Sequence, residues 1–222
     1  MNDSVDKFLR HALEIGALEL LPGGRELKSG RISPYFFKSG LFYTGVSLRI
    51  LAEVYSQRIS NINYELQDDG EDEVHVVFGP AYKGIPLATT IVSHMGGSME
   101  FSCDRKEVKD HGEGGIIMGA PLEGKNVIIV DDVMTTGSSI RKANDIISNN
   151  GGNVVACVVG FDRQEQGIDT DLSAVQAFED DTGIRTESAV CLDDLINLRE
   201  MKREGNSEIL KLILEYRSKY GA

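Results

Sequence analysis

The chain is predicted to adopt an α/β fold with a mostly parallel, twisted sheet flanked by helices. Two observations carry this. From residue 74 onward, short apolar runs alternate with segments of helical periodicity, the rhythm of right-handed βαβ crossovers in a doubly wound sheet. Within that rhythm Asn126–Val130 is an unbroken apolar run after its first residue, as expected of a strand covered on both faces.

The elements follow in order. Val5, Phe8, Leu9, Ala12 and Leu13 share one face of an opening helix, with Asp3 or Ser4 as its cap. Ser29–Pro34 is turn-rich, and Tyr35-Phe36-Phe37 favours a short strand. Leu48, Leu51, Ala52, Tyr55 and Ile59 line one side of a second helix. Six of the nine residues 65–73 are acidic and none is basic, so this stretch reads as a solvated surface insertion. Val74–Phe78, Met99–Ser102, Asn126–Val130 and Val154–Phe161 read as strands, and Ile85–Met95 and Ile140–Ile147 as helices. Two helices close the chain. Ile209, Leu212, Ile213 and Tyr216 stripe the last one, with Asn206 or Ser207 as cap. No repeat or linker divides residues 1–222, so one domain is expected.

Composition narrows the function. The 222 residues carry a formal net charge of −12, which argues against nucleic-acid partners because these need basic surface to replace counterions. The acidic stretch 65–73 holds a large part of that charge, so the total does not exclude an anionic small substrate. No apolar run approaches the length of a membrane span. The first residues lack the basic-then-apolar pattern of a secretory signal, and Cys103, Cys157 and Cys191 lack the spacing of a zinc site or disulfide framework. Together these indicate a cytoplasmic protein with reduced thiols and no membrane association.

The richest segment runs from Val127 to Ser139. A buried strand delivers Asp131 and Asp132 to its C-terminal edge, where ligands of open α/β sheets bind. Val133, Met134, Thr135, Thr136, Gly137, Ser138 and Ser139 then form a hydroxyl- and glycine-bearing loop leading into a helix, an anion cradle of backbone amides. GxxxxGK[ST] and GxGxxG are both absent, which excludes the P-loop and the dinucleotide fingerprint. Paired carboxylates beside a phosphate cradle suit ribose hydroxyls or a metal-bound sugar phosphate.

Two further segments fit the same chemistry. Gly79–Pro86 also joins a strand to a helix, and its amides with Lys83 suit a diphosphate. Residues 104–115 combine Arg105, Lys106, Lys109 and His111 with four acids and terminal glycines. With little apolar content to anchor them, they read as a mobile loop that closes over a polyanion.

The Val127–Ser139 segment resembles the 5-phosphoribosyl-1-diphosphate (PRPP) motif of the type I phosphoribosyltransferases. Lys28–Phe37, Arg105–Gly114 and Phe161–Gly167 are similar to signatures of the orotate phosphoribosyltransferase family, in collinear order over roughly residues 5–215. Thr136 stands where that family often has a smaller residue. The resemblance implies the type I phosphoribosyltransferase fold, with a small hood built from about residues 1–45 and later chain.

It also implies transfer of phosphoribose from PRPP to orotate with Mg²⁺, giving orotidine 5′-phosphate and diphosphate in pyrimidine synthesis. By position, Lys28, Tyr82, Lys83, Arg105, Lys106, Lys109 and His111 would contact PRPP. Asp131 and Asp132 would take the ribose and Thr135 to Ser139 the 5-phosphate, with Val133 and Met134 also contacting PRPP. Lys28, Phe36, Phe37, Thr135 and Arg163 would hold orotate. Lys109, His111, Asp131 and Asp132 would be catalytic, and Mg²⁺ would be held mainly by PRPP rather than by protein ligands. A homodimer would share its sites, with Arg105, Lys109 and His111 offered in trans. A phosphoribosyltransferase for another base and a PRPP-sensing regulator are the competing readings; the Arg163 and Phe36–Phe37 segments and the acidic charge weigh against them.

Overall fold

The computed structural model describes residues 3–109, 115–134 and 136–222. Helix α1 (Asp3–Glu14) leads into a two-stranded antiparallel ribbon, β1 (Leu18–Glu26) and β2 (Ile32–Phe37). Helix α2 (Gly45–Asp68), strand β3 (Val76–Gly79) and helix α3 (Gly84–Met95) follow. Then come β4 (Glu100–Lys109), β5 (Gly115–Gly119), β6 (Asn126–Asp131), α4 (Ser138–Asn149) and β7 (Asn153–Asp162). The chain finishes with α5 (Ala174–Thr182), β8 (Thr186–Cys191), α6 (Leu192–Asn197) and α7 (Ser207–Tyr220).

The central sheet has the order β5-β4-β3-β6-β7-β8. All neighbours are parallel except β4 and β5, which form an antiparallel pair at one edge. From the β3/β6 pair the chain winds outward in both directions. The crevice beyond the C-terminal ends of these two strands is therefore the topological switch point.

Alternation along β6 builds two cores. Ile128 and Val130 join Tyr55, Ile59 and Ile91 of α2 and α3 on one face. Val127 and Ile129 join Ile140, Ala143 and Ile147 of α4 and Phe178 of α5 on the other. All four β6 side chains are fully buried, which explains why the strand reads as a continuous apolar run. Emptying one of these positions, as in Ile128→Ala, would cost about 2–5 kcal/mol.

The β1–β2 ribbon sits over one end of this assembly, with α1 and α7 packed against it. Aromatic rings make the joint. Phe8 stacks on Phe42 at 5.0 Å, and Phe37 stacks on Phe161 of β7 at 5.3 Å. Tyr35 meets Tyr216 of α7 edge-on at 6.1 Å.

Several expectations need correction. The insertion 65–73 is not wholly a loop, because α2 continues to Asp68. Leu66 packs on the core and Glu65 pairs with Arg185 at 2.6 Å, which draws those residues into the last helical turn despite their charge. The segment 104–115 is not simply a loop either. β4 runs through Asp104 to Lys109, and its ladder with β5 is irregular between those two residues. Asp104 is buried there and accepts a hydrogen bond, so the charged run has an anchor that its composition hides. Residues 110–114 lie outside the described residues. Asp3 and Ser4 stand inside the first turn of α1 rather than capping it. Asn206 occupies the cap position of α7, but its amide donates to the Glu200 carbonyl instead of capping.

Strands β1, β5 and β8 and helix α5 are not evident in the sequence pattern. Pro22, Gly23 and Gly24 interrupt β1, where the ribbon's register shifts between Leu20 and Arg25.

Candidate active site

β6 ends on Asp131, which is 7% exposed. Its carboxylate accepts hydrogen bonds from the Ser139 hydroxyl at 2.7 Å and the Asp132 amide at 2.9 Å. Burial pushes its carboxyl above the ordinary aspartate range, outweighing those hydrogen bonds. Asp132 goes the other way. Burial again works upward, but hydrogen bonds from Lys83 and Ser39, with the Lys83 charge, hold its carboxyl below that range. Lys83 Nζ and Ser39 Oγ each lie 2.6 Å from Asp132 Oδ2. The contact from Lys83 crosses the switch point, joining the loop after β3 to the loop after β6.

The backbone of this acid pair is pinned from beneath. Tyr55 Oη, on a ring 1% exposed, donates to the Asp131 carbonyl at 2.8 Å. The Gly160 amide of β7 donates to the Asp132 carbonyl at 2.8 Å. A Cβ on Gly160 would fall 2.6 Å from both the Asp132 carbonyl oxygen and Tyr55 Oη, so only glycine fits.

The loop onto α4 is shaped by Gly137, which has φ 69° and caps the helix. A Cβ there would also lie 2.6 Å from the Phe178 ring. Left-handed backbone and close packing thus both demand glycine. Thr136 and Ser138 are exposed, and Val133 is half-buried. Met134 turns its side chain into the second core, leaving its backbone to the loop. Ser139 is committed to Asp131. Thr135 lies outside the described residues, as do His111 and the Lys109 side chain.

Across the crevice, the Ala81–Tyr82 peptide is cis. The Ala81 amide donates to Asp104 Oδ1 at 2.6 Å. Asp104 is 4% exposed, so a buried carboxylate on β4 holds the Gly79–Pro86 loop in place. Lys106 Nζ stands 4.2 Å over the Tyr82 ring, and Tyr82 itself is exposed. Arg105 is half-buried on β4.

Arg163 follows β7 at the same sheet edge. Its Nε and Nη2 donate to Glu165 Oε1 at 2.8 and 2.5 Å, and Nη2 also donates to Ser33 Oγ at 3.0 Å. The guanidinium lies 4.6 Å over the Tyr35 ring. Phe36 and Phe37 are not equivalent, because successive strand residues face opposite ways. Phe37 lines a cavity of about 330 Å³ with Ser39, Phe42, Tyr55, Lys83, Asp132 and Gly160, whereas Phe36 lies under Arg25 at 4.8 Å. Lys28 is exposed in the turn joining β1 and β2. Arg31 of that turn donates to the Gln166 and Gly167 carbonyls, which brings the turn beside the Arg163 segment.

The structure therefore gathers Lys83, Asp131 and Asp132 at the switch point and places Tyr82 with Lys106 on its rim. Ser39, Tyr55, Asp104 and Gly160 were missed by sequence reasoning. Ser39 lies 93 residues from its partner Asp132, and no spacing signal links them. Among the described residues no group of three or more His, Cys, Asp or Glu side chains could hold a metal ion, and no helix is long and apolar enough to cross a membrane.

The doubly wound sheet carries an acid pair at its switch point, and the chain belongs to the phosphoribosyl transferase domain family, whose model matches residues 47–194. Over its full length the chain belongs to the orotate phosphoribosyltransferase family. It is 42% identical to the orotate phosphoribosyltransferase of Saccharophagus degradans, covering 96% of each chain, and 41% identical to that of Halorhodospira halophila, covering 100% of each. The crystal structure of the Francisella tularensis orotate phosphoribosyltransferase superposes with a TM-score of 0.78 at 32% identity, covering 97% of this chain and 100% of that one.

Proposed function

We propose that the protein transfers the 5-phosphoribosyl group of PRPP to N1 of orotate, releasing diphosphate and forming orotidine 5′-phosphate. The observation that carries this reading is the Lys83–Asp132 contact across the switch point, which sets a cation suited to a diphosphate against a carboxylate suited to ribose hydroxyls. The Asp131 and Asp132 carboxylates accept the ribose hydroxyls. The amides at Gly137 and the helix behind them receive the 5-phosphate. On binding, Lys83 exchanges Asp132 for the diphosphate. Arg163 grips the orotate carboxylate, and Phe37 supplies a flat apolar wall for the ring.

The C1–oxygen bond of PRPP breaks with its electron pair leaving on diphosphate. N1 of orotate bonds to C1 and gives up its proton. Positive charge grows on the sugar beside Asp131 and Asp132, and negative charge grows on diphosphate beside Lys83 and Lys106. Such prearranged charges commonly supply the largest share of catalysis. Lys109 and His111 are assigned to the departing diphosphate, offered with Arg105 from the partner subunit of a homodimer.

Mg²⁺ fits as an ion carried by the substrate. It is usually held through one or two carboxylates plus substrate phosphates rather than by an all-protein cage, and Asp131 and Asp132 are the carboxylates at hand. When bound it neutralises the diphosphate charge. The acidic surface and the reduced thiols fit a cytoplasmic enzyme.

The test is incubation with PRPP, Mg²⁺ and a panel of bases, following orotate loss by absorbance. Turnover of orotate alone supports the proposal. Turnover of a purine or of uracil, with orotate untouched, would replace it.

A further inference from the structure

A guanidinium offers five N–H donors in a fixed plane. Arg163 spends one edge of that plane, Nε and Nη2, on Glu165 Oε1. One face is covered by the Tyr35 ring. Among the described residues Nη1 donates to no acceptor, and the buried Tyr216 hydroxyl, itself without a hydrogen-bond partner, lies beside Arg163 and Glu165.

Glu165 is itself immobilised. Its Oε1 also accepts from the Tyr35 hydroxyl at 3.1 Å, and its Oε2 lies 3.9 Å from Arg31 Nη1. Its backbone forms an antiparallel bridge with Gly221, flanked by hydrogen bonds from Gln166 N to the Tyr220 carbonyl at 2.8 Å and from Ala222 N to the Gln164 carbonyl at 3.0 Å. The Glu165 and Arg163 side chains are only 12% and 19% exposed. A mostly buried guanidinium without a counter-charge would be costly, and only the Ser33 hydroxyl and the Tyr35 ring would still hold it. With Glu165 in place, its orientation is set before substrate arrives.

We propose that Glu165 is a positioning residue that fixes the Arg163 guanidinium so that its Nη1 edge reads the carboxylate of the base. Glu165 thereby sets selectivity for a carboxylated pyrimidine over one without a carboxylate. This rests on the reading of orotate as substrate.

The test compares Glu165→Gln, which keeps shape and removes charge, with the intact protein. Binding of orotate and of uracil is measured by calorimetry, alongside steady-state kinetics. Losing a charge-assisted hydrogen bond should raise the Kd and KM for orotate about tenfold or more, while the Kd for uracil and the KM for PRPP stay within about twofold. Tyr35→Phe, which keeps the ring and removes the hydroxyl's bond to Glu165 and its longer bond to the Arg163 carbonyl, should shift orotate binding in the same direction by a smaller factor. A merely structural role would move all four constants together, and that outcome overturns the proposal. So would unchanged or tighter orotate binding in a folded Glu165→Gln variant. Should Glu165→Gln fail to fold, the same readings on Tyr35→Phe decide. An intact protein that neither binds nor converts orotate overturns the substrate reading itself, and this proposal with it.

Discussion

Tyr55 and Asp131 lie 76 residues apart, yet the Tyr55 hydroxyl donates to the Asp131 carbonyl oxygen at 2.8 Å. The bond ties the centre of α2 to the end of β6 and fixes the height at which the acid pair leaves the sheet. In Tyr55→Phe the carbonyl loses its partner in the interior, so stability should fall by about 1–3 kcal/mol. Thermal unfolding measures this. The KM for PRPP should rise in the same variant, because only the Gly160 amide then pins the backbone of the acid pair. An unchanged melting temperature would mean that the bond contributes nothing.

Asp131 is buried in a way that disfavours its charge, so its folded value lies above its unfolded one. Ionised Asp131 therefore destabilises the fold at neutral pH, and acidification through the folded value relieves that cost. Asp131→Asn removes the charge and keeps both contacts if its oxygen accepts from the Asp132 amide and its NH2 donates to the Ser139 hydroxyl. It should raise Tm at pH 7 while lowering kcat by about 10²-fold or more, the scale for losing a charge stabiliser. A lower Tm would show that the hydrogen bonds to the carboxylate outweigh its desolvation.

For Asp132 the sign is reversed. Its folded value is depressed, so its contribution is complete above the unfolded value near about pH 4 and is lost as pH falls through the lower folded value. Lys83→Met removes the principal partner. The variant should lose less stability than the parent on acidification below about pH 4, as read from unfolding midpoints across pH. Parallel curves would show that Lys83 does not set the Asp132 titration.

Gly160→Ala would place a methyl 2.6 Å from both the Asp132 carbonyl oxygen and the Tyr55 hydroxyl. Overpacking of this kind costs about 1–3 kcal/mol. Because the strain falls on the carbonyl that Gly160 itself holds, activity should drop more than stability does. Steady-state kinetics beside thermal unfolding makes the comparison.

If the sites are shared between subunits, Lys109→Ala and Asp132→Ala should each be inactive or nearly so. Mixed and refolded together, they should regain part of the parent rate in hybrid dimers. Absence of recovery would place Lys109 in the site of its own subunit.

The sequence by itself determined the layered α/β order and the ends of its best strands. It did so because a strand buried on both faces must be apolar throughout, as Val127–Val130 are, and a helix over a sheet must show a periodic stripe, as α4 does. It also placed Asp131, Asp132 and Gly137, since chemistry at the end of a strand is local and leaves adjacent residues as its trace. Elements with mixed composition escaped it: β1 carries Pro22 and two glycines, and β4 carries a run of charges anchored by buried Asp104. Only the tertiary structure decided which groups hold the site in place. Ser39, Tyr55, Gly160 and Glu165 reach Asp132, Asp131 and Arg163 through hydrogen bonds from separate elements or around a turn. It also decided that two adjacent aspartates differ in acidity, because the partners and burial that shift a carboxyl are set by what folds against it.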